Sequence, residues 1–482
     1  MSSKPLAPSR PATVRERWWR NAVIYHIYVR SFLDSNADGI GDLPGIRSRL
    51  EYLQWLGVDA IWLSPIMVSP NRDFGYDVAD YYRVDPAYGS LADLDLLIAE
   101  AAGRNIKVLL DLVPNHTSDQ HPWFRDPELR LTRYVWTDRP NNWLAAFGGP
   151  AWTRDEATGR YYLHNFLPGQ PDLDWWNPAV QREFELILQY WFDRGVAGFR
   201  IDVAHALVKD RRLRDNPAAT EQDPPWQQLA GLSNRYSARQ PEVHEIYRRW
   251  REIAKAYVPE RLLMGEVHLF DAEEWAAYHG RDDELQLALN FMLVFRPFEM
   301  DALRTTVERS LAVLPESAEA VWHGSNHDVS RLATRWAEGD ERRVRLALTM
   351  LLTLPGATVL YQGDEIGLRD GQVPDESVRD CATPSRDPQR TPMRWNAEAK
   401  GGFTSGEPWL PLEPDPLINV EVQRQKPGSV LNLTRELIRV KGRLEGGYEP
   451  LAAPTGVWRY RRGEVVVQLD FGRLEARVNE PE

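Results

Sequence analysis

Residues 198–206 of this chain read GFRIDVAHA. The opening of this stretch is a short apolar run without clean polar alternation, which is typical of a strand buried on both faces of a parallel sheet. Arg200 and Asp202 stand two residues apart at its end and therefore lie on one face of the strand. The stretch predicts a buried strand that carries a charged pair at its carboxyl end.

Seven further runs of the same kind occur before and after this stretch, with helical patterns between them. The helical patterns at 45–56, 91–102, 178–193 and 341–354 have apolar residues three and four positions apart. Eight buried strands alternating with helices predict an α/β fold, a TIM (β/α)8 barrel. The other predicted strands are 23–29, 59–63, 107–111, 262–266, 285–290, 321–327 and 358–362.

Irregular stretches interrupt this alternation of strands and helices. The interval 116–176 is rich in Trp, Pro, Asn and Gly and is too long for an ordinary loop, so it predicts an inserted subdomain after strand 3. Residues 367–428 form a second Pro-rich stretch, and alternation after Leu444 predicts a few antiparallel strands. We therefore predict a catalytic barrel at 18–115 and 177–443, an inserted subdomain at 116–176, and a short C-terminal β domain at 444–482.

Composition restricts the classes of partner. The net charge of −12 disfavours nucleic acid and anionic membrane surfaces but not neutral sugars. The single cysteine, Cys381, rules out an intramolecular disulfide and a zinc–thiolate site. The first 19 residues contain no apolar stretch of signal-peptide length, and no run of about 18 apolar residues occurs. We expect a cytoplasmic protein, monomeric or homo-oligomeric.

Polar side chains gather at the predicted carboxyl ends of four strands, which is where TIM-barrel enzymes hold their active sites. A single Asp at such a place often caps the next helix. Three carboxylates, two histidines and one arginine together are better explained by a catalytic pocket. The set comprises Asp202, Glu266, Asp328, His116, His327 and Arg200.

The order and spacing of four blocks, DLVPNHTS, GFRIDVAHA, GEVH and SNHD, resemble the signature regions of the α-amylase superfamily, glycoside hydrolase family 13. QPDLDWWNP resembles that family's additional region in the insertion. GYDVADY at 75–81 and SRDPQRTPMRW at 385–395 narrow the resemblance to the α-glucosidase and oligo-1,6-glucosidase branch. The resemblance runs from about residue 18 to 441 and implies an enzyme acting on small α-glucosides.

Catalytic roles follow from this resemblance. Asp202 matches the family nucleophile and Glu266 matches the acid/base, an arrangement that retains anomeric configuration when the two carboxyls lie about 5–5.5 Å apart. Asp328 matches the third carboxylate, which grips and distorts the sugar. We expect Arg200 to hold Asp202 ionised, and the negative charges of Asp202 and Asp328 to raise the pKa of Glu266.

The resemblance also assigns sugar contacts. Asp77 and Arg390 match residues that close the pocket around the non-reducing glucose, which implies exo-action. Tyr76 matches a ring that stacks on that glucose, and His116 and His327 match its hydroxyl ligands. Phe147 and Phe166 match aromatic side chains that reach down from the insertion toward the pocket. Ordinary packing also accounts for these two residues.

A further prediction concerns the loop DSNADGIGD at residues 34–42. Oxygen ligands alternate along it and Gly39 stands at the sharp turn, a pattern typical of calcium loops. Gly45 occupies the twelfth position, where an EF-hand has Glu. The same loop binds structural Ca²⁺ in relatives of this branch, which implies a non-catalytic calcium here. The expected ligands are Asp34, Asn36, Asp38, the Ile40 carbonyl and Asp42.

Three other functions remain alternatives at this stage. The same glucosyl-enzyme intermediate would serve a transglucosylase or a sucrose-converting isomerase. A non-catalytic binding or scaffold barrel usually loses the carboxylates that this chain retains. A metal-dependent hydrolase with His116 and His327 as ligands would lose turnover on chelation. The sequence leaves the preference among α-1,4, α-1,6 and sucrose bonds open.

Overall fold

The computed structural model describes residues 17–479. Most of the segment on which the expectation about the N-terminus rests therefore lies outside the described residues, as does the end of the predicted C-terminal domain. Within residues 17–479, no helix is both long and apolar enough to cross a bilayer.

Eight parallel strands confirm the predicted barrel. Hydrogen-bonded neighbours follow the order β6-β5-β4-β3-β2-β1-β8-β7, and β6 and β7 lie side by side at the remaining seam. The strands are β1 Val23–Ile27, β2 Ala60–Leu63, β3 Lys107–Leu112, β4 Gly198–Ile201, β5 Leu262–Val267, β6 Leu287–Asn290, β7 Val321–His323 and β8 Ala357–Tyr361.

Strand β7 is shorter than predicted. It ends at His323, whereas the sequence predicts a strand to residue 327. The side-chain oxygen of Asn326 accepts hydrogen bonds from the amides of Asp328 and Val329, each at 2.8 Å. These local bonds compete with a sheet ladder and fold the segment into a turn. His327 and Asp328 are therefore held in a loop above the barrel.

Helices cover the outside of the barrel. The helix predicted at 45–56 is divided at Arg49 into Leu43–Ser48 and Leu50–Leu56. The other long helices are Leu91–Ala102, Pro178–Asp193, Val243–Lys255, Met300–Val313, Glu341–Thr353 and Val430–Lys441. Short helices are Pro122–Arg125, Leu129–Arg133, Pro225–Ala230, Ala272–Ala276, Phe291–Val294, Leu332–Arg335, Asp387–Arg390 and Val420–Gln425.

Two apolar layers hold the strands in place. The barrel interior is filled by buried side chains such as Trp62, Leu109, Met264 and Val359. A larger cluster packs between the strands and the surrounding helices. Each fully buried side chain of this kind contributes roughly 1.5–3 kcal/mol. The strand ends are thus fixed from inside and outside, which gives the residues that follow them a rigid base.

The segment between β3 and helix Pro178–Asp193 has its own small core, formed mainly by Trp143, Trp152 and Leu163. Asn142 and Asn216 exchange hydrogen bonds of 2.7 and 2.9 Å, which attach this insertion to the long loop after β4. Its antiparallel strands are Trp136–Thr137, Trp152–Arg154 and Tyr161–Leu163.

An antiparallel sheet follows the barrel and confirms the predicted C-terminal β structure. The hydroxyls of Tyr460 and Thr353 are hydrogen-bonded at 2.6 Å, which joins this sheet to helix Glu341–Thr353. Its strands are β9 Glu449–Pro450, β10 Val457–Arg462, β11 Val465–Asp470 and β12 Glu475–Asn479. A separate two-stranded hairpin consists of Met67–Val68 and Asp80–Val84.

Candidate active site

Arg200 lies at the centre of the carboxylates at the barrel's carboxyl end. In the parallel register it stands opposite Asp111 of β3, and its Nη1 donates to Asp111 at 2.9 Å and to Asp202 at 2.7 Å. Its Nη2 lies 2.7 Å from Oε2 of Glu266. One fully buried guanidinium therefore spans the three carboxylates and fixes their relative positions.

Glu266 is held from both sides. The amide of Val203 donates to Oε2 at 3.0 Å, and Nε2 of His268 lies 3.3 Å from Oε1. Val203 has a φ of 35°, which β-branched residues rarely adopt, so the turn that aims its amide is strained. The strained turn at Val203 thus fixes the position of the Glu266 carboxylate.

The charge distribution differs from the expectation that Arg200 holds Asp202 ionised while the negative charges of Asp202 and Asp328 raise the pKa of Glu266. Burial raises the pKa of Asp202, with Glu266 adding to the effect and Arg200 opposing it. Burial would also raise the pKa of Glu266, but Arg200 and His268 outweigh it and hold that pKa below its usual range. Arg200 therefore acts on both carboxylates, because its two Nη atoms reach Asp202 and Glu266.

Asp328 lies between two arginines and a histidine. Its Oδ1 accepts from Arg386 at 3.0 Å and from Arg390 at 2.8 Å, and its Oδ2 lies 3.1 Å from Nε2 of His327. Burial opposes ionisation, but His327, Arg386 and Arg390 together hold the pKa of Asp328 well below its usual range. Asp328 is therefore a carboxylate at neutral pH, available to accept from sugar hydroxyls.

Tyr76 and His116 belong to the same wall. The Tyr76 ring stacks on His327 with centroids 5.2 Å apart, and its hydroxyl donates to Asp111 at 3.0 Å. His116 Nε2 lies 2.9 Å from the Tyr76 carbonyl, and Nδ1 lies 3.1 Å from the Asn115 amide nitrogen. Burial lowers the pKa of His116, so its ring is neutral. These contacts fix both rings against the pocket.

Asp77 does not line the pocket, which corrects its predicted role. It is fully buried and accepts hydrogen bonds from the Ser69 hydroxyl and from the amides of Arg72 and Asp73. Asp73 faces the cavity instead and pairs with Arg386 at 2.9 Å. Asp73 and Arg386 stand four residues before the predicted Asp77 and Arg390, Asp73 just before the block at 75–81 and Arg386 within the block at 385–395.

A cavity of about 340 Å³ contains this site. Phe147 and Phe166 reach it from the insertion, with ring centroids 5.8 Å apart, and the Arg386 guanidinium lies 5.0 Å from the Phe147 ring centre. The cavity wall also includes residues that the sequence analysis did not assign to the site. Among these are Asp73, Arg386, His268, Trp226, Phe295, Val329 and part of the loop around 234–238.

The loop at residues 34–42 fits calcium by its donor chemistry. Asp34 accepts from the amides of Asn36, Ala37 and Gly39, and Asp42 accepts from Gly45 at the start of a helix. The Thr404 hydroxyl also donates to Asp34, so a cation would have to replace some of the hydrogen bonds to that carboxylate. Oxygen is the ligand type that calcium prefers. Asp38 is exposed and would have to turn inward. Within residues 17–479, three acidic or sulfur ligands converge to within 4.8 Å elsewhere, at Asp73, Asp380 and Cys381.

Comparison with known proteins agrees with this geometry. Residues 26–445 match the model of the α-amylase catalytic domain. This chain belongs to the α-amylase family. It is therefore a glycoside hydrolase family 13 enzyme, and the resemblance inferred from the four blocks is confirmed.

Individual members of the α-amylase family resemble the chain over most of its length. It is 40% identical to a probable α-glucosidase of Rhizobium meliloti, covering 87% of this chain and 82% of that protein. It is 38% identical to an α-glucosidase of Culex pipiens, over 88% and 75% of the respective chains. The crystal structure of the α-glucosyl transfer enzyme XgtA superposes with a TM-score of 0.89 at 38% identity, over 94% and 91% of the chains.

Proposed function

We propose that this enzyme is a retaining, exo-acting α-glucosidase that releases glucose from the non-reducing end of short α-glucosides. The observation that carries the proposal is the single guanidinium of Arg200 within 2.7 Å of both Asp202 and Glu266. This arrangement holds the two carboxyls close together, as direct attack on the anomeric carbon requires in retaining enzymes, where the separation is about 5–5.5 Å.

The chemistry proceeds in two displacements. In the first, Asp202 attacks the anomeric carbon while Glu266 protonates the leaving oxygen, which gives a covalent β-glucosyl ester. In the second, Glu266 takes a proton from water, and that water displaces Asp202 to release α-glucose. Arg200 remains bound to Asp202 throughout and stabilises it as the leaving carboxylate.

The charged end of the cavity supports recognition of a terminal glucose. Asp328 and Asp73 are joined through Arg386, and Arg390 donates to Asp328 from the far side. This series of charged groups offers hydrogen-bond partners to the hydroxyls of one terminal sugar. We therefore assign this end to the non-reducing glucose and expect small sugars to be better substrates than starch.

Product analysis tests the proposal. Maltose, isomaltose, sucrose, trehalose and soluble starch are supplied to the wild-type enzyme and to Asp202→Asn, and the first anomer is read by proton NMR. We expect α-glucose from small sugars, little from starch, and none from the variant. The appearance of β-glucose first would overturn the retaining mechanism. An absence of turnover on every sugar would instead favour the scaffold barrel.

Transglucosylation is the second candidate, favoured by the similarity to the α-glucosyl transfer enzyme XgtA. It shares the ester on Asp202, which a sugar hydroxyl rather than water resolves. New oligosaccharides at high maltose concentration, or isomers formed from sucrose, would identify it. Unchanged turnover after chelation would exclude the metal-dependent alternative based on His116 and His327.

We also propose that the loop at 34–42 binds a structural Ca²⁺. The ligands would be Asp34, Asn36, Asp38, Asp42 and the carbonyl of Ile40; the ion would stabilise the loop and take no part in sugar chemistry. Support comes from the oxygen donors and the hydrogen-bonded wrapping of the loop. Adding Ca²⁺ to chelated enzyme should raise Tm, and Asp38→Ala should abolish that rise. An equal rise in the variant would contradict the site.

A further inference from the structure

A second cavity lies among the outer helices of the barrel, separate from the active site. It has a volume of about 380 Å³, and none of the residues that line it also lines the active-site cavity. Its walls come from helix Leu50–Leu56 with the residue before it, from the segment around Trp395, and from helix Val420–Gln425. Three elements distant in sequence therefore meet at this outer cavity.

Arg49 brings a cation without a counter-ion to the outer cavity. Its partly buried guanidinium has its central carbon 4.4 Å from the centre of the Trp395 ring. Within residues 17–479 its Nε is buried without a hydrogen-bond acceptor, and no carboxylate forms an ion pair with the side chain. Burial lowers the pKa of Arg49, and Tyr52 opposes this effect, but an arginine keeps its charge at neutral pH. Such a charge is costly to remove from water unless an anion accompanies it.

Arg424 supplies a second cation from another wall. The central carbon of its exposed guanidinium lies 4.6 Å from the centre of the Trp55 ring, and none of the described carboxylates forms an ion pair with it. Burial and the carboxylate of Glu365 raise the pKa of Tyr52, and the charges of Arg424 and Arg49 oppose that rise. Both guanidiniums therefore lie near the Tyr52 ring, which forms part of the wall between them.

The charge around the outer cavity is positive, although the chain as a whole carries −12. Glu421 is the single acidic residue among those that line it; its side chain is exposed and, among the described residues, is paired with neither arginine. A third arginine, Arg435, lies close by, with its guanidinium carbon 4.4 Å from the centre of the Trp55 ring. The outer cavity therefore attracts anions rather than cations.

Two guanidinium groups at one cavity fit a phosphate better than a smaller anion. A phosphate monoester carries about −1.5 to −2 charges and three acceptor oxygens, which is enough for two arginine forks. Asn396 and Gln425 place side-chain amides on the same wall, where they can donate to a phosphate oxygen or to a sugar hydroxyl. A volume of about 380 Å³ also has room for a small group attached to the phosphate.

We propose that the outer cavity binds a phosphate group, free or carried by a small sugar, between Arg49 and Arg424. The phosphate would accept hydrogen bonds from both guanidiniums and supply the negative charge that Arg49 lacks. Because such a ligand binds the folded protein, it would also raise Tm. The site is independent of sugar cleavage, since it shares no residue with the active-site cavity.

The test is isothermal titration calorimetry at constant ionic strength, with inorganic phosphate and glucose 6-phosphate as separate probes. Wild type is compared with Arg49→Gln and Arg424→Gln. The matched control is Arg435→Gln, which removes the same charge beside Trp55 but does not line the outer cavity. Arg424 is exposed, so Arg424→Gln reports even if Arg49→Gln fails to fold. Thermal melting with and without each probe gives the shift in Tm.

We expect saturable binding of the phosphate probes to wild type and to Arg435→Gln, accompanied by a higher Tm. The Kd should rise roughly tenfold or more in Arg49→Gln and in Arg424→Gln, because each loses a charge-assisted hydrogen bond. Tighter binding of glucose 6-phosphate than of phosphate would identify a sugar phosphate as the ligand, and equal binding would identify the phosphate group alone.

Three results would overturn the proposal. The first is that neither phosphate probe binds to wild type. The second is that Arg435→Gln weakens binding as much as the two cavity variants do, which would indicate a general effect of charge. The third is that Arg49→Gln and Arg424→Gln bind both probes as wild type does.

Discussion

Arg200 shares its charge between two carboxylates that have to behave differently during turnover. It holds Asp202 through Nη1 and Glu266 through Nη2, while His268 adds a second contact to Glu266. These contacts hold the pKa of Glu266 below its usual range, although its proposed role requires a proton. The surroundings of Glu266 therefore limit the pH range in which the enzyme begins catalysis.

His268→Asn should move the alkaline limb of the kcat/KM profile upward by about one pH unit. The contact of His268 with Glu266 lowers the pKa of Glu266, so without it Glu266 keeps its proton to higher pH. His205→Asn is the matched control, because burial lowers the pKa of His205 to about 3 and the ring is neutral at the pH of the assay. Equal shifts in both variants would contradict a specific role of His268.

Asp73→Asn and Asp77→Asn should have opposite signatures. Asp73 pairs with Arg386 in the cavity, so its loss should lower kcat/KM for maltose about 10–100-fold with little change in Tm. Asp77 accepts two backbone amides and a hydroxyl, so its loss should cost roughly 1–3 kcal/mol of stability. Measuring kcat/KM and Tm for both variants tests these roles. A stable Asp77→Asn variant with the larger loss of kcat/KM would contradict the assignment of Asp73 to the cavity and Asp77 to stability.

The charged core of the site was predictable because Arg200, Asp202 and Glu266 stand at the ends of buried strands, where backbone geometry fixes direction. The positions of loop residues were not predictable, because loops lack the regular alternation of side-chain directions that shows which residues of a strand face the site. Asp77 was chosen over Asp73 four residues away, and Trp226 and Phe295 carry no sequence signal beyond being aromatic. Their placement depends on how long loops pack, which is set by tertiary contacts.

Among the elements, the loop at 34–42 depends on a close approach of two backbones. Gly39 has a φ of +87°, and a Cβ at that position would lie 2.0 Å from the carbonyl oxygen of Glu407. Gly406 has the reciprocal constraint, since its Cβ would lie 2.1 Å from the Ala37 oxygen. The loop and the segment around 406 therefore pack as one unit beside the barrel's open end.

Gly39→Ala should destabilise this unit. Both the left-handed backbone and the contact with Glu407 oppose a side chain, so we expect a loss of about 1–3 kcal/mol or more, measured as a lower Tm. Gly148→Ala is a suitable comparison, because its φ of +95° is also left-handed but nothing lies within 4 Å of the added Cβ. If both variants lost the same stability, backbone strain alone rather than the close approach would explain the effect.

For the whole molecule, the C-terminal sheet is joined to the barrel through a buried tyrosine. Tyr460→Ala should cost about 3–5 kcal/mol, as large-to-small changes in a core do, and Tyr460→Phe about 1 kcal/mol through loss of the Thr353 hydrogen bond. Thermal melting gives both values. Because the sheet lies away from the cavity, kcat/KM should stay near wild type; equal losses in the two variants would contradict the packing contribution.

The pairing of β1 with β8 has a consequence for the synthesis of the chain. Ile24 is hydrogen-bonded in register with Val359, more than 300 positions later. At about 5–20 residues per second on the ribosome, β1 emerges roughly 20–70 s before its partner exists. During that interval one edge of the nascent sheet is open, and the apolar face that β8 will cover is exposed. The unfinished barrel is therefore prone to aggregation until about three quarters of the chain has been translated.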